Sequence, residues 1–139
     1  MRRIRGNFLW AFTGAMLLGL VSFCLPVWLL REPLAPAPLF PVLATGVQYL
    51  SWLTFVLLFV SGVALGFFGA RYALLLGIGT ILPLVVGAIA EMVAAPTSHN
   101  LWPFEFLIYL LLSLIAAVGV PIGRYLGRCF RRRAAGGEP

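Results

Sequence analysis

Aspartate and lysine are both missing from the 139 residues, and histidine occurs once, at His99. Without aspartate there are no Asp-based metal clusters. Without lysine there is neither Schiff-base chemistry nor the phosphate-binding lysine of a P-loop. The two cysteines, Cys24 and Cys129, form no CxxC pair and fall near opposite faces of the expected fold, so neither a redox motif nor an intrachain disulfide is expected. Charge as a whole is scarce: 10% of residues are charged, against about 25% in a typical soluble domain, while 62% are hydrophobic. A soluble fold of this length could not hide that much apolar surface. The composition therefore reads as one membrane-embedded domain, residues 1–139, with no room for a separate soluble one.

The charge that is present is segregated. All ten basic residues are arginine. Arg2, Arg3, Arg5, Arg71, Arg124, Arg128, Arg131, Arg132 and Arg133 can share one side of a bilayer, with Arg31 the exception. Glu32, Glu91 and Glu105 fall at the opposite ends of the apolar stretches. A net charge of +6 would suggest nucleic acid in a soluble protein. Here the arginines flank apolar spans, which points to orientation and anionic headgroups, with no nucleic-acid partner. Richness in Ala, Gly, Pro and Arg without Lys suggests a GC-rich, bacterial genome.

A membrane-spanning helix needs about 20 apolar residues. Four stretches qualify, at residues 7–30, 47–68, 72–94 and 104–126. The expected fold is all-α, four transmembrane helices in an antiparallel bundle, with both termini cytoplasmic in a bacterial inner membrane. The first stretch has a basic start and an apolar core, as a signal peptide does. Its length, and Pro38 directly after Ala35-Pro36-Ala37, make it a retained span. Between the first two spans, Pro33, Pro36, Pro38 and Pro41 predict extended backbone over 31–46. The short link Gly69-Ala70-Arg71 predicts that the second and third spans are antiparallel neighbours. The tail 127–139 is basic, then small and polar.

Small residues recur at four-residue spacing: Gly62, Gly66 and Ala70; Gly79, Pro83 and Gly87; Gly119, Gly123 and Gly127; and, more weakly, Ala15 and Gly19. Such stripes let membrane helices approach closely. They read either as a dimer interface or as packing within one bundle. Pro83 and Pro121 each free a backbone carbonyl and predict kinks.

The membrane-deep parts lack ionisable residues. Polar groups collect at the arginine-poor ends. Glu91 follows Gly87 by one turn and reads as a proton or cation site or as an interfacial carboxylate, with Arg31 a candidate partner. The string 96–105, Pro-Thr-Ser-His-Asn-Leu-Trp-Pro-Phe-Glu, suits a helix entry: Ser98 or Asn100 can cap, Trp102 can anchor at the interface, and Pro103 and Glu105 suit a first turn. Tyr109 continues the stripe from Glu105. Glu91, His99, Asn100, Glu105 and Tyr109 can thus meet at one mouth of the bundle, joined by Gln48, Tyr49 and Ser51. One histidine and two glutamates without close ligand spacing do not make a metal motif, so no metal or cofactor is expected. The arginine tail Arg124–Arg133 reads as positive-inside retention or as a clamp on anionic lipid or an acidic partner.

The segment Thr97–Glu105, set between two apolar spans, resembles one that recurs in small uncharacterised four-span bacterial membrane proteins. The resemblance implies a shared architecture and supplies no site roles. Small multidrug transporters have a similar size but rely on a glutamate deep in their first span, and span one here has none. Disulfide-forming four-helix enzymes need paired cysteines that are absent. The expectation is a non-enzymatic accessory, assembly or structural subunit, partnered by lipid, another membrane protein or itself. The alternative is an oligomeric small-solute or ion transporter.

Overall fold

A computed structural model describes residues 2–37, 39–68, 72–95 and 102–135. Among them all regular structure is helical, in five elements: α1 (Arg2–Leu30), α2 (Pro41–Gln48), α3 (Trp52–Phe67), α4 (Ala73–Ala94) and α5 (Trp102–Ala135). Three helices, α1, α4 and α5, are long and apolar enough to cross a bilayer. The pair α2 and α3 makes a fourth candidate if its 103° bend is counted within one span. The chain is a multi-pass membrane protein by these lengths and compositions. The expected link at 69–71, the loop 96–101 and the last residues 136–139 lie outside the described residues.

The second expected span, 47–68, is not one continuous helix. Pro41 does not exclude helix from the 31–46 segment but starts one: at the first helical position its missing N–H is no loss and its φ is already helical. Helix α2 then stops at Gln48, and α3 restarts behind Ser51, whose hydroxyl accepts the Thr54 N–H at 3.4 Å. An N-capping serine satisfies one of the donors that a fresh helix start leaves open. Thr45, fully buried, fastens α2 in place. Its Oγ1 donates to the Pro41 carbonyl and accepts the Ala35 N–H, both at 2.7 Å.

Helix α1 ends in a Schellman-type turn. Arg31 adopts φ 54°, and the Glu32 N–H donates to the Val27 carbonyl at 3.1 Å. The left-handed conformation costs a non-glycine residue about 1 kcal/mol or more. Arg31→Gly is therefore expected to raise stability by about 1 kcal/mol. Arg31→Ala removes the same charge but keeps the strained φ and should bring no such gain, as thermal unfolding in detergent would show.

Helices α1 and α5 each pack on both α3 and α4, whereas α3 and α4 touch each other only slightly. This departs from the neighbour relation expected of the second and third spans. The reason lies in the glycines. A Cβ on Gly62 or Gly66 would overlap the carbonyl oxygens of Ala116 or Val120; one on Gly123 would overlap that of Val63. On Gly119 it would lie 2.5 Å from the Phe59 carbonyl oxygen. The α3 and α5 backbones are thus in direct contact, running the same way along the seam. Gly19 brings α1 against the Thr80 backbone of α4 in the same manner, and Gly79 accepts Phe12 and Ala15 from α1. The stripes serve contacts within the chain.

Two apolar clusters fill the remaining space. One centres on Phe23, Leu58, Leu84 and Leu112, the other on Ala15, Leu65, Leu76 and Val120. The buried hydroxyls within the helices bond locally or to each other: Thr80 to the Gly77 carbonyl, Ser113 to that of Leu110, and Ser22 to Leu18 and, at 3.3 Å, to Ser61. Pro26, Pro83 and Pro121 all lie inside continuous helices.

Candidate functional site

At the end of the fold where α2 lies, a cavity of about 230 Å³ opens between α2, α4 and α5. Its apolar walls include Leu43, Ala44 and Val47 from α2 and Leu84 and Ala88 from α4. Its polar lining is Gln48, Glu91, Glu105 and Tyr109. Gly87 makes the arrangement possible: a Cβ there would come within 2.9 Å of the Leu43 side chain, which rests on it.

Glu91 is buried on the last turn of α4, 6% exposed. A carboxylate in such surroundings is costly unless hydrogen-bonded. Its Oε1 accepts the Phe40 N–H at 3.0 Å. Phe40 is the N-cap residue of α2 and offers no capping side chain. Glu91 therefore reaches across from α4 and places its carboxylate at the start of α2, where helix N-termini favour negative charge.

Helix α5 supplies the other two groups. It begins at Trp102, with Pro103 and Glu105 in its first turn as the sequence suggests. One turn later Tyr109, 2% exposed, donates its hydroxyl proton to Glu105 Oε1. Phe106 packs edge-on against the Tyr109 ring at 6.0 Å. The cavity thus combines two carboxylates and a phenol with apolar walls. That chemistry can hold a proton or a small cation, or can serve wholly to dock α2.

Of the residues expected at one mouth, Glu91, Glu105, Tyr109 and Gln48 come together. His99 and Asn100 lie outside the described residues. Ser51 caps α3 instead, and Tyr49 ends α2. Arg31 lines a separate cavity, with Trp28, Glu32 and Val42, from the one that Glu91 lines. Among the described residues no three His, Cys, Asp or Glu side chains group closely enough to hold a metal ion.

The basic tail lies at the other end of the fold. Helix α5 continues through it to Ala135, and Arg128, Arg131, Arg132 and Arg133 are exposed while Arg124 is half-buried. Arg131 Nη1 donates to the carbonyl of Phe67, the last residue of α3, at 3.4 Å. A cation there suits the negative end of a helix. Phe130 adds an edge contact to Phe67.

Sequence reasoning missed the Phe40 N–H, Thr45 and Gly77. Pro41, read as a helix starter, would have pointed to the first two. Gly77, whose Cβ would meet the Ser113 carbonyl oxygen at 2.6 Å, stands outside the four-residue stripe and leaves no such signal. No protein-family model matches the chain, and no curated protein and no solved structure matches it either.

Proposed function

We propose that this chain is a four-span antiparallel bundle of a bacterial inner membrane, with both termini cytoplasmic, acting as a non-enzymatic accessory, assembly or structural subunit. The arginine distribution supports the orientation. The contact pattern supports the bundle, since α1 against α4 and α3 against α5 run parallel, as alternate spans do. Protease protection of a tag placed after Pro139 reads the orientation; cleavage from the outer side would reverse it.

One observation carries the functional reading. The helices meet backbone to backbone through the middle of the bundle, while the buried polar groups at its end are spent on holding the chain together. Glu91 receives Phe40, Tyr109 gives to Glu105, and Thr45 joins Ala35 to Pro41. A route for a solute through such a seam would require the closest contacts of the fold to part.

The second reading, an oligomeric transporter or channel for a small cation, rests on the cavity with its two carboxylates. Reconstitution separates the two. Vesicles containing the purified protein alone are expected to pass sodium, potassium and protons no faster than empty ones. A saturable flux that disappears in Glu91→Gln would replace the accessory reading with the transport one.

A further inference from the structure

The arginine end of α5 carries an inference of its own. The helix has 34 residues. At about 1.5 Å per residue it is about 50 Å long, against about 30 Å of hydrocarbon. It cannot be contained in the apolar layer, and its apolar exposed residues give out toward the C-terminal end. Leu110 and Leu114, which by helical register lie on the side of Arg128 and Arg132, are lipid-accessible, as are Val118, Ile122 and Leu126 on the adjoining side; beyond Tyr125 and Phe130, both largely exposed, the outward surface is arginine.

Helical register orders these arginines. Arg124, Arg128 and Arg132 follow at four-residue steps and share one face within an arc of about 80°. Arg131 lies beside them and is tied to the end of α3. Arg133 points about 180° away from Arg124. No acidic residue occurs from 106 to 137, and none occurs in α3 or before Glu91 in α4. Among the described residues no acidic side chain therefore provides a counter-charge to this face at this end of the fold; Glu138 lies outside them. Successive turns place Arg124, Arg128 and Arg132 at successive depths.

We propose that the face Arg124–Arg128–Arg132 binds the phosphates of anionic phospholipids and sets the depth of α5 in the membrane. The occupant is lipid because the face that carries Arg128 and Arg132 carries the exposed, apolar Leu110 and Leu114 earlier on the same helix, and because Tyr125 and Phe130 flank it with rings suited to the headgroup layer. Guanidinium forks match phosphate oxygens in pairs. The inference rests on α5 spanning the bilayer. Protein that washes from membranes in alkaline carbonate would defeat that premise separately, before any lipid is tested.

The test uses the full chain in a neutral detergent, titrated with phosphatidylglycerol or phosphatidylcholine and read by native mass spectrometry. Wild type is expected to retain phosphatidylglycerol preferentially. Arg128→Gln should lower that preference about fivefold, from the interaction of one basic residue with an anionic surface. Arg133→Gln, the same charge change on the opposite face, should leave it close to wild type, and Arg128→Lys should keep most of it. Elution volume and helicity check that each variant is folded. Equal losses in Arg128→Gln and Arg133→Gln would overturn the proposal, leaving only a diffuse basic tail. So would a wild type that ignores phosphatidylglycerol but binds polyglutamate, the result for an acidic protein partner.

Discussion

Gly123→Ala is expected to cost more than about 3 kcal/mol or to prevent folding, although alanine is the better helix former by about 1 kcal/mol. The methyl group would overlap the Val63 carbonyl oxygen and come within 2.8 Å of the Phe67 nitrogen. Both are backbone atoms inside a helix and cannot rotate away. Relief would require α3 and α5 to separate along the whole seam, taking Gly62, Gly66 and Gly119 out of contact together. Gly14→Ala supplies the contrast. Its Cβ would meet only the Leu65 side chain at 3.9 Å, an ordinary contact. That variant should be neutral or slightly stabilised. Thermal unfolding in detergent, followed by helicity and elution profile, compares the two. A Gly123→Ala protein that unfolds like wild type but halves in apparent size would move the seam from within one chain to between two.

Glu91→Leu carries the second large effect. It removes the acceptor of the Phe40 N–H, and an unsatisfied buried donor costs about 1–3 kcal/mol. Glu91→Gln keeps a carbonyl oxygen at the same place and should hold α2 down. The readout is local: a single cysteine at position 43, in a background lacking Cys24 and Cys129, reports whether α2 stays on Gly87. Labelling by a water-soluble maleimide should be fast with Glu91→Leu and slow with Glu91→Gln. If both variants label at the wild-type rate, Glu91 does not anchor α2. This comparison also keeps the docking role of Glu91 apart from a transport role, which the Gln variant alone would remove.

The long spans were legible because runs of twenty or more apolar residues have few other solutions. The break at 49–51 was not, because Tyr49-Leu50-Ser51 sits in an apolar run that passes equally well as one helix. Only local chemistry marks it, a proline that can start α2 and a serine that can cap α3. The convergence of Glu91, Glu105 and Tyr109 followed from four-residue spacing near the ends of two helices. The partner of Glu91 did not follow, since charge alone suggested Arg31. The donor from α2's start is a backbone N–H, which every non-proline residue carries and no sequence pattern distinguishes. The glycine stripes announced close packing, but which helices they joined depended on the direction each stripe faces around its axis, a tertiary property.

That pairing has a consequence for how the chain is made. The tightest backbone contacts, at Gly19 of α1 with α4 and along α3 with α5, join helices separated by an intervening span. During synthesis α1 enters the membrane before its tightest partner exists, and α3 must wait until the last helix has left the ribosome. Gly19 and the glycines of α3 lack their closest partners throughout that interval. Insertion and final packing are therefore separate events here, and the bundle can lock only after its final span arrives.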